Sequence, residues 1–305
     1  KNSANYERFK EKYKDNIVYG QQRGGSYYIS TNIDRVAYNH TSKTTDEEKT
    51  STKKALLNKD FRQALAFGAD RKAAVSQVFG DEVGPRKLRT SFTPPTFVQV
   101  GDQTFGQVTK TELDKLDNVW KDVSLDDAQD SLHNVDKAKT KLEAAKKTLQ
   151  ADGVQFPIHL DLPVSSTQTD FVRQAQSYKQ SIEEALGVEN VVVDIQQVSD
   201  DELGSMTVLA TSKDNIDWDI NPNSGWSPDY ADPSTYLDAF DPTSGPTLLG
   251  ALGIAPGSDS SAIKAVELDK YKELLDDANS EKTDLEKRYS KYAKAQAWLT
   301  DSALI

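Results

Sequence analysis

The middle of the chain alternates between the periodicity of helices and that of strands. Residues 136–151 and 168–186 space their apolar side chains as one face of a helix does, while residues 157–162 and 190–198 are alternating or β-branched. The apolar face of the first helix consists of Ala138, Leu142, Ala145 and Leu149. Helix, strand, helix and strand in this order require helices packed on a sheet, so the sequence predicts an α/β fold.

Segments on either side of this region extend the same pattern. The spacing predicts helices over residues 6–15, 60–79, 260–277 and 282–300, and strands over residues 26–30 and 217–220. Residues 298–305, WLTDSALI, become apolar, and we interpret them as the beginning of a strand. We therefore expect the chain to be a piece of a longer protein.

Charge and cysteine content exclude several classes of protein. The 305 residues include 37 Lys and Arg against 48 Asp and Glu, a formal net charge of −11, which disfavours binding to nucleic acid or anionic lipid. The absence of cysteine excludes disulfides, thiolate metal sites and cysteine nucleophiles within the chain. The 4 Trp, 12 Tyr and 10 Phe residues lie in periodic segments and indicate a globular protein with a packed core.

The motifs of catalysis and of metal binding are missing from the sequence. There is no phosphate loop, no dinucleotide-binding glycine pattern and no Gly-x-Ser-x-Gly nucleophile elbow. The segment beginning at Asp277 starts like a calcium loop, but Lys282 and Arg288 occupy the positions that need Gly and Glu. We therefore predict no enzymatic activity, no cofactor and no metal site, with a hydrolase using scattered carboxylates as the remaining enzymatic alternative.

Residues 223–237, NSGWSPDYADPSTYL, combine features of a peptide-binding site. Gly225 has no side chain to block its backbone, so an extended peptide could pair there as an added strand. Trp226 offers a flat wall, and the carboxylate of Asp229 follows closely in the sequence. A carboxylate beside the ammonium group of a peptide makes charge-assisted hydrogen bonds of about 1.5–3 kcal/mol.

Three segments in order carry a family resemblance. Residues 223–237, together with residues 58–71, NKDFRQALAFGADR, and residues 25–28, GSYY, resemble the signature segments of OppA-like oligopeptide-binding proteins of ABC importers. These are the extracellular solute-binding proteins of family 5. Within that family, the chain looks like the streptococcal Ali/Ami type of lipoprotein.

The resemblance implies a fold, a domain organisation and a location. It implies a periplasmic-binding-protein-like fold of type II, cluster C, in which a mixed sheet with helices packed on it forms the second of two lobes. Residues 1–30 would approach from the first lobe, and residues 31–305 would form the second lobe without its return to the first. The protein would be a monomer on the extracellular face of the membrane, held by a lipid anchor outside this chain, with an ABC permease as its partner.

The same resemblance assigns roles to residues of the 223–237 segment. Gly225 and Ser227 would pair their backbone with the peptide, Trp226 would line a side-chain pocket, and Asp229 would hold the α-ammonium group. Asn223 departs from the pattern, because short-peptide binders of the family carry a basic residue near this position to meet the ligand carboxylate. We therefore expect tolerance for longer peptides.

Other interpretations remain open at this point. Trp226 and Tyr230 could be core aromatics, and Asp229 could cap a helix that begins near Pro233. We interpret Arg62, Asp70 and Arg71 as residues that fix their helix through ion pairs, without contact to ligand. The fold could also bind an oligosaccharide, a nickel complex or a signalling peptide, or the chain could be a surface interaction or adhesion module.

Overall fold

The computed structural model describes residues 4–20, 22 and 24–305, except for the side chains of residues 4–7 and 223. The helices are α1 (Ala4–Lys12), α2 (Asp46–Leu57), α3 (Lys59–Gly68), α4 (Arg71–Phe79), α5 (Phe105–Leu116), α6 (Val135–Ala151), α7 (Thr169–Leu186), α8 (Asp200–Met206), α9 (Ser234–Leu237), α10 (Leu248–Leu252), α11 (Ser261–Ala265), α12 (Leu268–Ser280) and α13 (Leu285–Ser302). The strands are β1 (Ser26–Thr31), β2 (Gln99–Val100), β3 (Gln103–Thr104), β4 (Ile158–Ser165), β5 (Val191–Val198) and β6 (Ile220–Trp226).

The predicted α/β core is confirmed by α6, β4, α7 and β5, which follow one another as expected. β4 and β5 pair in parallel with Ile158 opposite Val191 and Ser165 opposite Val198, and α7 makes the crossover between them. The inward side chains of these four elements form one buried cluster with α3. Burial of their apolar area is the main stabilising contribution to this part of the fold.

β1 and β6 form an antiparallel pair beside the parallel one. Ser26 lies opposite Trp226, and the register shifts between Tyr28 and Ser30. One backbone hydrogen bond, from the Asp219 N–H to the Asp161 carbonyl at 3.0 Å, connects the entrance of β6 to the middle of β4. In the described residues the strands form three two-stranded pairs, with β4–β5 parallel and β1–β6 and the short β2–β3 antiparallel, so both pairing types of the predicted mixed sheet are present but in separate pairs.

A second buried cluster covers the other side of the β1–β6 pair. Its helices are α5, α9, α10, α11, α12 and α13. Phe92 is at the centre of its aromatic part, with the rings of Tyr28, Tyr236 and Phe240 at centroid distances of 5.3, 5.6 and 5.0 Å in edge-on geometry. The β1–β6 pair thus packs on the second cluster through Tyr28 and Trp226 and on the first cluster through Ile29 and Ile220.

Two of the predicted helices are broken in the structure. The helix expected over residues 60–79 is wrong as one element, because the chain turns at Ala69 and the Asp70 carboxylate accepts the Ala73 N–H at 2.8 Å, which starts α4. The helix expected over residues 260–277 is α11 and α12, separated where Glu267 adopts a left-handed conformation with φ of 60°. Apolar spacing continues across both breaks, so periodicity alone did not reveal them.

Two expected strands also differ from the structure. The strand expected at 298–305 is wrong for residues 298–302, which belong to α13. Their apolar side chains form a helix face that packs on the second cluster. The strand expected over residues 217–220 is wrong for its first three residues, since β6 begins at Ile220 and runs to Trp226.

A buried network of charges occupies the place of that expected strand. The guanidinium of Arg35 contacts Asp161 at 2.6 Å and Asp217 at 2.7 Å, and the ammonium of Lys43 contacts Asp219 at 2.5 Å. None of the five side chains is more than 5% exposed. Burial alone would raise the pKa of Asp161, but Lys43 and Arg35 hold it well below its usual value. The network fixes the point at which β6 starts.

Candidate functional site

The end of the β1–β6 ladder brings Tyr27 and Gly225 together. They are directly opposite one another, and a Cβ atom at position 225 would lie 2.8 Å from Cδ1 of the Tyr27 ring. Tyr27 is 89% exposed, so its ring covers the backbone of Gly225 from the solvent side. The glycine is needed for this close approach, and one face of its backbone is occupied by Tyr27 where the sequence suggested open access.

The chain entering β1 lies against the chain leaving β6. A Cβ atom on Gly25 would lie 2.9 Å from the Ser227 Oγ, and one on Gly24 would lie 3.2 Å from Cγ of Pro228. The Tyr236 hydroxyl donates to the Gly24 carbonyl and ties this corner to the second cluster. Ser227 is exposed at the corner.

Trp226 is half embedded in the protein. Its indole N–H donates to the Thr235 carbonyl at 2.6 Å, and its ring packs on the second cluster. This satisfies the polar atom of the indole without any ligand. The core interpretation therefore describes part of the side chain, and only the remaining surface is free to line a pocket.

Asp229 presents its carboxylate to solvent. Its backbone N–H donates to the Thr235 Oγ1 at 2.9 Å, so Thr235 holds the loop at both Trp226 and Asp229. The side chain is exposed, and no described residue donates a hydrogen bond to its carboxylate. A negative charge held on a fixed backbone without an internal partner is available to an external cation.

The helix-cap interpretation of Asp229 is wrong. The Asp232 carboxylate accepts the Ser234 N–H at 3.0 Å at the start of α9 and pairs with Arg288 at 2.9 Å. Burial would raise the pKa of Asp232, but the hydrogen bonds from Arg288 and Ser234 together with the charge of Arg288 outweigh it and lower the pKa.

The structure therefore gathers Gly225, Ser227 and Asp229 at one corner and adds a residue that the sequence reasoning missed. That residue is Tyr27. The signal that could have found it is strand alternation, because its neighbour Tyr28 packs into the second cluster and directs Tyr27 outward. Asn223 lies in β6, and its side chain is outside the described part of the structure.

The residues of the 58–71 motif serve the fold. The fully buried Arg62 donates from Nε to the Ser302 carbonyl at 2.9 Å and from Nη1 to the Leu56 carbonyl at 2.8 Å. Burial, opposed by Asp301, lowers the pKa of Arg62 to about 9. In place of the predicted ion pair, Arg62 thus donates hydrogen bonds to carbonyl groups in the last turns of two helices.

Of the other two charged residues of that motif, one caps a helix and the other forms an ion pair. Asp70 caps α4, as described above. The ion pair predicted for Arg71 is confirmed, because its guanidinium contacts Asp130 at 2.8 Å.

The described ranges contain neither a metal-binding cluster nor a membrane-spanning helix. There, no three His, Cys, Asp or Glu side chains are grouped so that they could hold a metal ion. None of the helices described is sufficiently long and apolar to span a membrane.

Comparison with known proteins gives a consistent set of relatives. Residues 2–247 match the family model of bacterial extracellular solute-binding proteins, family 5, middle region. Over 303 residues the chain is 52% identical to the oligopeptide-binding protein AliA of Streptococcus pneumoniae and 52% identical to the oligopeptide-binding protein SarA of Streptococcus gordonii. These matches cover 99% of this chain but 46% and 45% of the two relatives, so the chain spans about half their length.

Solved structures match over nearly the whole chain. The substrate-binding domain of an oligopeptide ABC transporter from Bacillus anthracis aligns with a TM-score of 0.60 and 23% identity, covering 97% of this chain and 46% of that one. OppA of Listeria monocytogenes bound to peptide aligns with a TM-score of 0.59 and 20% identity, covering 97% of this chain and 45% of that one. At these identities the likeness concerns the fold, which is the predicted binding-protein fold.

Proposed function

The chain belongs to the bacterial extracellular solute-binding proteins of family 5, and from that premise we propose that it is part of a receptor that binds oligopeptides for an ABC importer. The family resemblance expected from the three sequence segments is thereby confirmed. The identity of about half to streptococcal proteins named for oligopeptide binding supports peptide as the solute. The receptor has no catalytic role in this proposal.

The observation that carries the proposal is the exposed Asp229 carboxylate, three residues beyond the end of β6 on the chain that leaves the Tyr27–Gly225 pair. A peptide presents one ammonium group at its first residue, whatever its sequence. In the proposed complex, Asp229 accepts hydrogen bonds from that group, while the backbone of Gly225 and Ser227 pairs with the peptide main chain. Such a mode of binding depends little on the side chains of the peptide.

Aromatic surfaces supply the apolar part of the proposed site. Trp226 lies opposite Ser26, and Tyr27 is the next residue of β1, so strand alternation places the Trp226 and Tyr27 rings on opposite faces of the ladder. In the proposed complex, Trp226 lines a side-chain pocket and Tyr27 covers the peptide where it passes Gly225. Asn223 provides no cation for a ligand carboxylate, so longer peptides are accepted.

The proposed site is completed by a first lobe. Residues 1–30 lead in from that lobe and residues 31–305 form the second lobe, so that the last residues of the leading segment already pair with β6. Hinge closure brings the two lobes together around the extended peptide. Closure excludes water, which strengthens the contact between the ammonium group and Asp229.

The proposal extends to location and partners. The whole protein is a monomer on the extracellular face of the membrane, anchored by a lipid on a part outside this chain. It hands its peptide to a membrane-embedded permease. The net charge of −11 is compatible with a lobe that stays clear of anionic lipid.

A second candidate keeps the fold and changes the solute to an oligosaccharide. The exposed rings of Tyr27 and Tyr230, at 89% and 54%, favour it because sugars stack on aromatic surfaces. The free carboxylate of Asp229 favours a cationic ligand instead. A thermal-shift comparison of peptides and oligosaccharides separates the two, because a ligand that binds the native state raises the melting temperature.

Calorimetric titration of the full-length protein tests the peptide proposal. A hexapeptide with a free amino terminus is compared with the same peptide acetylated at its amino terminus. The proposal predicts at least tenfold weaker binding of the acetylated form. Equal affinities would contradict the role of the ammonium group, and the absence of binding to either form would contradict peptide as the solute.

A further inference from the structure

The guanidinium of Arg288 on α13 contacts the segment that carries the proposed peptide site. Its Nε lies 2.9 Å from Oδ2 of Asp232, and its Nη2 lies 3.2 Å from Oδ1 of the same carboxylate. Two parallel contacts of this kind fix both the distance and the orientation of a carboxylate. The two side chains are 13% and 21% exposed, so the pair is better shielded from water than an ordinary surface ion pair.

The other N–H groups of Arg288 are also used within the protein. Nη1 donates to the Ala278 carbonyl at 3.1 Å and to the Glu281 carbonyl at 3.3 Å, at the end of α12. Nη2 also lies 3.4 Å from Oδ1 of Asn279 and 3.3 Å from the Tyr292 hydroxyl. A guanidinium has five N–H groups, and these acceptors engage all of them. Any effect of Arg288 on a ligand therefore passes through residues of its own chain.

Asp232 connects this ion pair to the start of α9. Its Oδ1 accepts the Ser234 N–H at 3.0 Å and the Ser234 hydroxyl at 2.7 Å. Its backbone carbonyl accepts the Thr235 N–H at 3.0 Å, and the Thr235 Oγ1 accepts the Asp229 N–H at 2.9 Å. An unbroken series of contacts thus leads from Arg288 to the backbone of Asp229.

The segment between β6 and α9 depends on this connection. Within the described residues, Ser227, Asp229, Tyr230 and Ala231 are exposed, so burial contributes little to holding them in place. The helix that follows, α9, has 4 residues and no side-chain cap, and it is too short to fix the segment by itself. Asp232 joins the segment instead to α13, a helix of 18 residues that packs on the second cluster.

From these contacts we infer that Arg288 is a positioning residue for peptide binding, because by holding Asp232 it sets the place of the Asp229 carboxylate that receives the ammonium group. This inference rests on the proposed function, which gives Asp229 its ligand. The contacts need no ligand atom, so they hold the carboxylate in place before a peptide arrives. Such preorganisation reduces the entropy lost on binding and raises the affinity.

Calorimetric titration of the full-length protein with the free and the acetylated hexapeptide tests this inference. Arg288→Gln is expected to weaken binding of the free peptide about fivefold. Its affinity for the acetylated peptide should stay within twofold of the wild type, because that peptide has no ammonium group for Asp229 to meet. Arg288→Lys retains the positive charge, and its affinity for the free peptide should fall between those of Arg288→Gln and the wild type.

A second variant guards against a folding defect in Arg288→Gln. Asp232→Asn keeps an acceptor for Ser234 and leaves the contacts of Arg288 with α12 in place, and it should show the same selective loss for the free peptide. The matched control is Lys291→Gln, about one turn further along α13. Lys291 contacts the carbonyl and the carboxylate of Asp277, so it also joins α13 to α12, and both peptides should bind this control as they bind the wild type.

Hydrogen exchange of the full-length protein without peptide measures how firmly the segment is held. The Asp229 N–H, which donates to Thr235, is expected to exchange about tenfold faster in Arg288→Gln and in Asp232→Asn. In Lys291→Gln it should exchange at the wild-type rate.

Equal weakening of binding for both peptides would leave Arg288 a purely structural role and overturn the inference. An unchanged exchange rate of the Asp229 N–H, or an unchanged affinity for the free peptide, would also overturn it. If the wild type binds no peptide, or binds the free and the acetylated forms equally, the proposed function fails. The exchange rates then still decide whether Arg288 holds Asp229 in place.

Discussion

Tyr27 and Gly225 lie opposite each other in the β1–β6 ladder, and the ring of Tyr27 fills the space that a side chain at position 225 would need. This relationship explains why a glycine precedes Trp226. It also places an exposed aromatic ring within the proposed peptide site, where the sequence suggested only bare backbone.

The variant Gly225→Ala tests this close approach. Its Cβ would lie 2.8 Å from Cδ1 of Tyr27, but that ring is 89% exposed and can rotate into solvent. We expect the free energy of unfolding to fall by less than about 1 kcal/mol, measured by chemical denaturation. Peptide affinity should fall more clearly, because the displaced ring and the new methyl group both obstruct the site.

Gly245→Ala is the matched control for that variant. Gly245 is buried, and its Cβ would lie 2.5 Å from the Ala239 carbonyl oxygen and 2.7 Å from the Asp241 nitrogen. Backbone atoms cannot rotate away, so we expect a loss of about 2–4 kcal/mol. Equal losses of unfolding free energy in the two variants would contradict the expectation that the Tyr27 ring can rotate away from position 225.

Asp238 makes stability depend on pH. Burial, followed by the nearby Asp241 carboxylate, raises the pKa of Asp238 to about 6. A carboxyl group with a raised pKa in the folded state costs stability as pH rises from about 4 through 6. After allowance for its partial exposure, Asp238→Asn should therefore stabilise the protein by about 1 kcal/mol at pH 8 and by nothing measurable at pH 4.

Denaturation curves at the two pH values measure this effect. Asp102→Asn serves as the control, because Asp102 is exposed and has no described partner. A gain for Asp238→Asn that is the same at both pH values would show that its origin is not the ionisation of this carboxyl group.

The outer edge of β5 is protected by two side chains of α7. The Val193 N–H donates to Glu183 at 2.9 Å, and Lys179 donates to the Val193 carbonyl at 2.8 Å. Removing both caps with Lys179→Ala/Glu183→Ala exposes unpaired strand groups, which promote edge-to-edge association. We expect an increase in dimers and larger species by sedimentation velocity.

The control for the strand edge is Glu143→Ala/Lys146→Ala, which removes a charge pair of the same kind from α6. That pair touches no strand edge in the described contacts, so the protein should sediment as the wild type does. Self-association of the control to the same degree would attribute the effect to lost surface charge.

The sequence predicts well those elements whose ends and faces are set locally. α6 begins where the Asn134 side chain accepts the Lys137 N–H, and α7 ends where Gly187 adopts φ of 84°. Both are signals that a single sequence carries. β4 between these helices and β5 after α7 lie where the strand patterns of residues 157–162 and 190–198 predict them.

Elements that depend on distant partners were not predictable in this way. The residues Asn221 to Gly225 have low strand propensity, and they form β6 because β1 pairs with them. The network of Arg35 with Asp161 and Asp217 joins residues more than 100 positions apart, and no local sequence pattern predicts it. The residues proposed for the ligand were recognisable from their segment, whereas the position of Tyr27 opposite Gly225 required the register of the ladder.

The central claim is that Asp229 holds the ammonium group of a bound peptide. A calorimetric double-mutant cycle tests it most directly, with wild type and Asp229→Asn each titrated with a free and an amino-terminally acetylated hexapeptide. Asp259→Asn, at another exposed carboxylate, is the control. The account predicts that Asp229→Asn weakens binding of the free peptide at least tenfold and leaves binding of the acetylated peptide unchanged. Equal losses for both peptides, or no loss for either, would contradict it.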